Sequence, residues 1–229
     1  MRLRRLGLLI LSFCVVCGVA TASNFSFTGT FTADDQLELF MFTAPTATTL
    51  VQTWGYAGGT NAASMSIPEG GFDPVLSVFD ATGGLTSSSP LVAVNDTGGP
   101  DCNYNPAPCV EEDSVTGNAW DALITLSTLT PGDTYVLVLT EADNEPSGAT
   151  FGDGFTEEGN GNFTASEFGC GGTQFCDATP DQRTGNWAVD ILGVGTASDI
   201  TPVPEPGSIL LLAGGLAGMA LLRRRGKRI

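Results

Sequence analysis

Three stretches of this chain gather oxygen side chains closely enough to bind a hard cation. Asn95, Asp96 and Asp101 fall within the loop 95–101, which also holds Gly98, Gly99 and Pro100. Asp143, Asn144 and Glu145 follow an apolar run at residues 135–140 and would lie at a sheet end, and Asp153 stands beside Gly154. Calcium takes six to eight oxygens from carboxylates, amides and carbonyls, usually supplied by loops. The candidate calcium ligands are therefore Asn95, Asp96, Asp101, Asp143 and Asn144. Their spacing does not match an EF-hand, and the same residue types cap their own backbone in Asx turns. Both readings stay open.

Other chemistry is limited by what is missing. The chain has no histidine, which removes Ser-His-Asp and Cys-His catalysis, zinc-protease helices and His-ligated metals. Its one lysine, Lys227, lies near the C-terminus, so the body has none for Ser-Lys catalysis or a Schiff base. No glycine-rich phosphate loop leads into a helix. Carboxylate chemistry survives, because a glycosidase needs two acids and a cleft, and Glu69, Glu111, Glu141 and Glu157 are available. With so many acids no pair stands out, and the expectation is a protein that is not an enzyme. Trp54, Tyr56, Trp120 and Trp187 offer the parts of a sugar-stacking platform. Trp120 and Trp187 alternate with apolar neighbours as core residues do, leaving Trp54 and Tyr56 as the one aromatic cluster to consider for an exposed platform, against the burial usual for aromatics.

Charge is distributed very unevenly. Residues 23–202 hold 24 of the 25 acidic residues and a single basic one, Arg183, for a net charge near −23. Such a surface repels nucleic acid and anionic membranes, and keeps an exported protein soluble. The body has four cysteines, Cys102, Cys109, Cys170 and Cys176. An even number in an exported chain points to disulfides, and short-loop closure favours Cys102–Cys109 and Cys170–Cys176 among three possible connectivities.

The elements that position these residues have a period of two. Phe25, Phe27 and Phe31 are interleaved with Ser26, Thr28 and Thr30, and Leu37, Leu39 and Met41 with Glu38, Phe40 and Phe42. Further strands are expected at residues 49–54, 75–79, 91–94, 122–126, 135–140 and 187–192, separated by turn formers such as residues 80–84 and 130–133. No amphipathic helix is expected between the two ends of the chain. Eight or so short strands make an all-β, antiparallel, jelly-roll-like β-sandwich over residues 23–200. The stretch 141–184 is long for a connection and reads as a functional loop set or a disulfide-pinned excursion.

Both ends address a membrane. Arg2, Arg4 and Arg5 precede an apolar run at residues 6–20, and Ala20-Thr21-Ala22 supplies small residues for cleavage. Residues 1–22 thus form a secretory signal peptide, which would carry Cys14 and Cys17 away. At the other end Val203, Pro204, Glu205 and Pro206 lead into an uncharged run at residues 209–222, closed by Arg223, Arg224, Arg225, Lys227 and Arg228. As a helix that run is roughly 21 Å long, short of the roughly 30 Å hydrocarbon core, and the arginines hold its end in the cytoplasm. Residues 203–229 resemble the PEP-CTERM signal of Gram-negative bacteria. The resemblance implies recognition by an exosortase, cleavage near Pro-Glu-Pro, and release from a transient inner-membrane anchor to the cell surface or extracellular matrix.

The body carries a second resemblance. Residues 71–80 (Gly-Phe-Asp-Pro-Val-Leu-Ser-Val-Phe-Asp), then Asn95-Asp96, then residues 131–140 (Pro-Gly-Asp-Thr-Tyr-Val-Leu-Val-Leu-Thr) are similar in order to the bacterial pre-peptidase C-terminal domain, over residues 34–144. That resemblance implies a non-catalytic jelly-roll sandwich, calcium-stabilised or polymer-binding in some members. The Cys102–Cys109 insert and the stretch after Asn144 depart from it. The expected protein is a secreted surface or matrix component with a structural or adhesive role. The alternatives are a lectin-like module binding exopolysaccharide and, further off, a carboxylate glycosidase.

Overall fold

In the computed structural model, residues 21–201 are described, except Thr97, Tyr104, Pro106, Gly172 and Thr173. The leader to residue 20 and the tail from residue 202, with Val203, Pro204, Glu205, Pro206 and the apolar run, lie outside them. Regular structure begins with β1 (Ser23–Thr30), β2 (Glu38–Thr43) and β3 (Thr49–Thr53). A small hairpin, β4 (Gly59–Thr60) and β5 (Ser66–Ile67), precedes β6 (Pro74–Asp80), β7 (Leu91–Asn95), β8 (Leu123–Leu126) and β9 (Thr134–Glu141). A short helix, α1 (Phe163–Phe168), then leads to β10 (Asn186–Val194) and β11 (Thr196–Asp199).

Two antiparallel sheets face each other, one in the order β1-β10-β3-β8 and the other β11-β2-β9-β6-β7. The space between them is filled from both sides. Val51, Ile124, Val189 and Ile191 come from the first sheet, and Phe40, Phe42, Leu76, Val78, Leu137 and Leu139 from the second. The alternation read in β1 is this inward face, since successive strand residues point to opposite sides; in β2 it is Phe40 and Phe42 that point inward, while Leu39 and Met41 pack on the outer face. The expected sandwich is present, and the expected strands lie within a residue or two of those observed.

β6 and β9 do not alternate because both of their faces are covered. On the outer face Val136, Val138 and Phe79 form a second cluster with Phe155. Phe151 and Phe155 stand over Phe79 at ring-centroid distances of 5.4 and 6.4 Å. Residues 141–184 therefore act as a lid on the outside of the second sheet, since an uncovered Phe or Val there would forgo about 1.5–3 kcal/mol of burial. Cys102–Cys109 and Cys170–Cys176 are both formed, with Cα–Cα distances of 5.0 and 5.6 Å.

Three features differ from the sequence expectation, the first being the small β4–β5 hairpin. The six-residue α1 sits in the lid, where no helix was expected. Its first turn buries Phe163, Thr164 and Ala165. Its cap is supplied from far away in sequence: Asp34 Oδ2 accepts from the Thr164 N–H at 3.1 Å and the Thr164 hydroxyl at 2.6 Å. A local pattern cannot show a cap contributed by a residue 130 positions earlier. β11 was also not expected. It is a polar edge strand, Thr-Ala-Ser-Asp, held to β2 by its ladder.

Candidate functional site

Three strand ends meet at one end of the second sheet. β6 begins at Pro74, β9 ends at Glu141 directly opposite it, and β7 ends at Asn95. The Ala142 N–H donates to the Asp73 carbonyl at 2.8 Å and fixes the turn out of β9. Asp143 follows with a positive φ of 66°, the left-handed conformation that Asp and Asn tolerate better than most residues. The lid closes the opposite side with Phe168, Cys176, Asp177 and Ala178, held by the Cys170–Cys176 disulfide. Between them lies a cavity of about 190 Å³, whose lining includes Asp73, Asp96, Glu141, Asp143 and Glu145.

The electrostatics of this cavity are dominated by like charge. Glu141 is 1% exposed. Its Oε2 and the Asp73 Oδ1 are buried without a hydrogen-bond partner. Burial pushes the Glu141 carboxyl well above the usual carboxylate range, and the charges of Asp73, Asp34, Asp177 and Asp143 push it further. Burial likewise raises Asp73, with Asp121, Asp177 and Asp143 adding to the shift and Arg183 opposing it. Asp143 is raised by burial and by Glu157 and Asp96. Glu145 is lifted to about 7, first by a carboxyl–carboxylate hydrogen bond with Asp96, then by burial and by the charges of Asp96 and Asp143. Among the described residues, no three Asp, Glu or Cys side chains form a group that could hold a metal ion directly.

Of the five proposed calcium ligands the structure brings two, Asp96 and Asp143, to this cavity. The other three are absent from its lining. Asn95 donates from Nδ2 to the Gly98 carbonyl at 3.1 Å. Asp101 accepts from the Asn103 N–H at 2.7 Å in the Cys102–Cys109 loop, an Asx turn. Asn144 is a buried bridge, donating to the Asp35 carbonyl at 3.2 Å and accepting from the Glu157 N–H at 3.0 Å. Asp73 and Glu141 were missed as candidate ligands. The available signal was an acid at each end of an apolar strand, and nothing local showed that the two ends pair.

A second acidic node lies close by. Arg183, 6% exposed, donates to Asp113 Oδ2 at 3.0 Å and stands 3.9 Å from Asp177 Oδ2. It also donates to the carbonyls of Gly71 and Tyr56 at 2.9 and 2.8 Å, with its guanidinium 3.9 Å from the centre of the Tyr56 ring. Gly71 must be a glycine here, because a Cβ would lie 2.3 Å from the Asn186 carbonyl oxygen. Burial works to raise the Asp113 carboxyl, but hydrogen bonds from Arg183 and Thr116 and the Arg183 charge outweigh it and hold Asp113 below its usual value.

The aromatic cluster considered for an exposed platform is turned inward, as most aromatics are. Tyr56 is fully buried beneath Arg183, and Trp54 is half-buried with its indole N–H donating to Asp190 Oδ2 at 2.8 Å. Both rings are drawn inward because their polar ends find partners there: the Trp54 indole has Asp190, and the Tyr56 hydroxyl donates to Asp177 Oδ2 at 3.0 Å and lies 3.0 Å from the Thr116 hydroxyl. Trp187 is core, and Trp120 is half-buried against Tyr56 at 5.3 Å. Of the four glutamates considered for glycoside chemistry, only Glu141 lines this cavity, while Glu69 accepts from Ser114 and Glu157 from Asn160.

Residues 202–225 match the PEP-CTERM protein-sorting motif. The PEP-CTERM motif is the recognition signal for exosortase processing, and it implies an exported precursor held transiently in the membrane. The match begins just past Thr201, the last described residue, whose hydroxyl accepts from the Leu39 N–H at 2.6 Å. Thr201 thus sits at the β2–β11 edge. Comparison with curated proteins and with solved structures finds no match. No homologue supports the likeness of residues 34–144 to the pre-peptidase C-terminal domain. Among the described residues, no helix is long and apolar enough to cross a membrane.

Proposed function

We propose that the body is a non-enzymatic structural or adhesive component of the cell surface or extracellular matrix, delivered there by exosortase. The observation that carries this reading is the PEP-CTERM match, set directly behind a disulfide-bonded sandwich. Several properties of the body suit such a role. Its two disulfides call for an oxidising compartment, and its net charge near −23 keeps neighbouring copies apart in solution. The lid covers the outer faces of β6 and β9, and among the described residues the large apolar side chains left in water are Met65, Val92, Val94 and Val115. The exopolysaccharide-binding alternative has lost its aromatic platform, so it rests on hydrogen bonding alone.

Mass spectrometry of the extracellular fraction tests the reading. The secreted form should begin near Ser23 and end near residues 202–206, and deleting the exosortase should leave the precursor in the membrane. Intact residues 223–229 outside the cell would overturn the sorting step. Unchanged attachment and matrix cohesion in a deletion strain would overturn the structural role.

A further inference from the structure

The cavity at the three strand ends poses a problem that the sorting reading does not address. Glu141 is almost wholly buried, is aimed into a space of about 190 Å³, and has a carboxylate oxygen with no partner. Asp73, from the adjoining strand end, presents a second such oxygen to the same space. Asp96, Asp143 and Glu145 ring the mouth, with Asp96 and Asp143 exposed to solvent. A buried ionised carboxylate without a partner is too costly to persist, so this group of acids must either hold protons or hold a cation. The body cannot supply that cation from its own chain, because its one basic residue, Arg183, is committed to Asp113, Gly71 and Tyr56.

We propose that this cavity is a binding site for one partly hydrated divalent cation of the calcium type, with Glu141 and Asp73 at its floor and Asp96, Asp143 and Glu145 at its mouth. The acids stand around the space rather than converging to a point, which is why no three of them form a direct cage. Water occupies roughly 30 Å³ per molecule in the liquid, so the cavity has room for an ion that keeps several waters between itself and the carboxylates. Calcium accepts such mixed shells of six to eight oxygens with loose geometry. The neighbouring Ala142 and Cys176 backbone is fixed by hydrogen bonds to Asp73 and Thr164, so the floor is preformed.

The experiment uses the full chain in detergent, stripped of metal by a chelator and titrated calorimetrically with calcium chloride. One equivalent should bind. The melting temperature should rise well beyond the change given by sodium chloride of equal ionic strength. Glu141→Gln should weaken calcium binding at least tenfold without lowering the melting temperature of the metal-free protein, an outcome that a merely structural Glu141 would not give. Asp143→Asn, at the exposed mouth, should weaken binding several-fold and serves if Glu141→Gln does not fold. Asp101→Asn, outside the cavity, should change nothing. Equal stabilisation by sodium and calcium would overturn the proposal and leave the acids as proton holders. Binding lost in Asp101→Asn but kept in Glu141→Gln and Asp143→Asn would overturn it by placing the ion elsewhere.

Discussion

The Arg183 node and the Glu141 cavity pose the same electrostatic problem within one end of the sandwich and resolve it differently. Both bury acids beside the segment at residues 70–74 that leads into β6, and Asp177 touches both. At the node a guanidinium lies against Asp113 and Asp177, and Asp113 is held below its usual value. At the cavity the charges around Asp73 and Glu141 are mostly other acids, and both are pushed up. What differs most plainly is the supply of positive charge. The single basic residue of the body can serve one of the two regions. The other depends on protons or on an ion from outside.

The largest effect should come from breaking the node. Arg183→Ala would leave Asp113 buried without its counter-ion and free the carbonyls of Gly71 and Tyr56. It should cost about 3–5 kcal/mol, read as a large fall in the chemical-denaturation midpoint. A loss below about 1 kcal/mol would mean that the node behaves as a surface pair.

Removing the lid's disulfide should cost less and act on both regions. The Cys170→Ser, Cys176→Ser double variant loses a short closed loop, worth about 2 kcal/mol by loop closure. It also loosens the wall that carries Cys176 and Asp177, so the calcium response should fall with it. The matching Cys102, Cys109 double variant should cost a similar amount and leave that response intact, because its loop does not line the cavity. Equal calcium responses in the two variants would separate the lid from the site.

The smallest effect should be a pH dependence of opposite sign in the two regions. Glu145 titrates near 7 in the folded protein, and so does Glu38, which is raised by burial and then by Asp199, against a hydrogen bond with Thr201 that lowers it. Groups raised on folding bind more protons folded than unfolded. Their stabilisation is therefore full below the ordinary value of about 4.5 and is lost as pH rises through about 7. Metal-free protein should melt higher at pH 5 than at pH 8, and saturating calcium should flatten that slope. Asp113, held low, should act in the other sense: its contribution is present above the ordinary 3.8 and is lost as pH falls below it. A melting temperature that rises steadily from pH 5 to pH 8 without metal would contradict the cavity's electrostatics.

Much of the fold was legible in the chain, and the site much less so. Alternation such as Phe25, Phe27 and the turn formers between runs located the strands, because a half-buried strand must put every second side chain inside. Asp96 and Asp143 were found as oxygen donors, but Asn95, Asp101 and Asn144 were equally good local candidates and serve the backbone instead. Glu141 looked like the polar end of an apolar strand, and Arg183 like an isolated charge in a glycine-rich stretch.

The sequence by itself determined the period-two strands, the short-loop disulfide pairs, the absence of histidine chemistry, the PEP-CTERM tail and the shortage of positive charge in the body. Each of these follows from residue type or from spacing along the chain. Only the tertiary structure decided that Pro74 pairs with Glu141, that Asp34 caps a helix 130 residues away, that Tyr56 is buried under Arg183, and that the lid closes over the acids. Burial and pairing set the charge state of a carboxylate, and both depend on chain segments that meet only once the two sheets have packed.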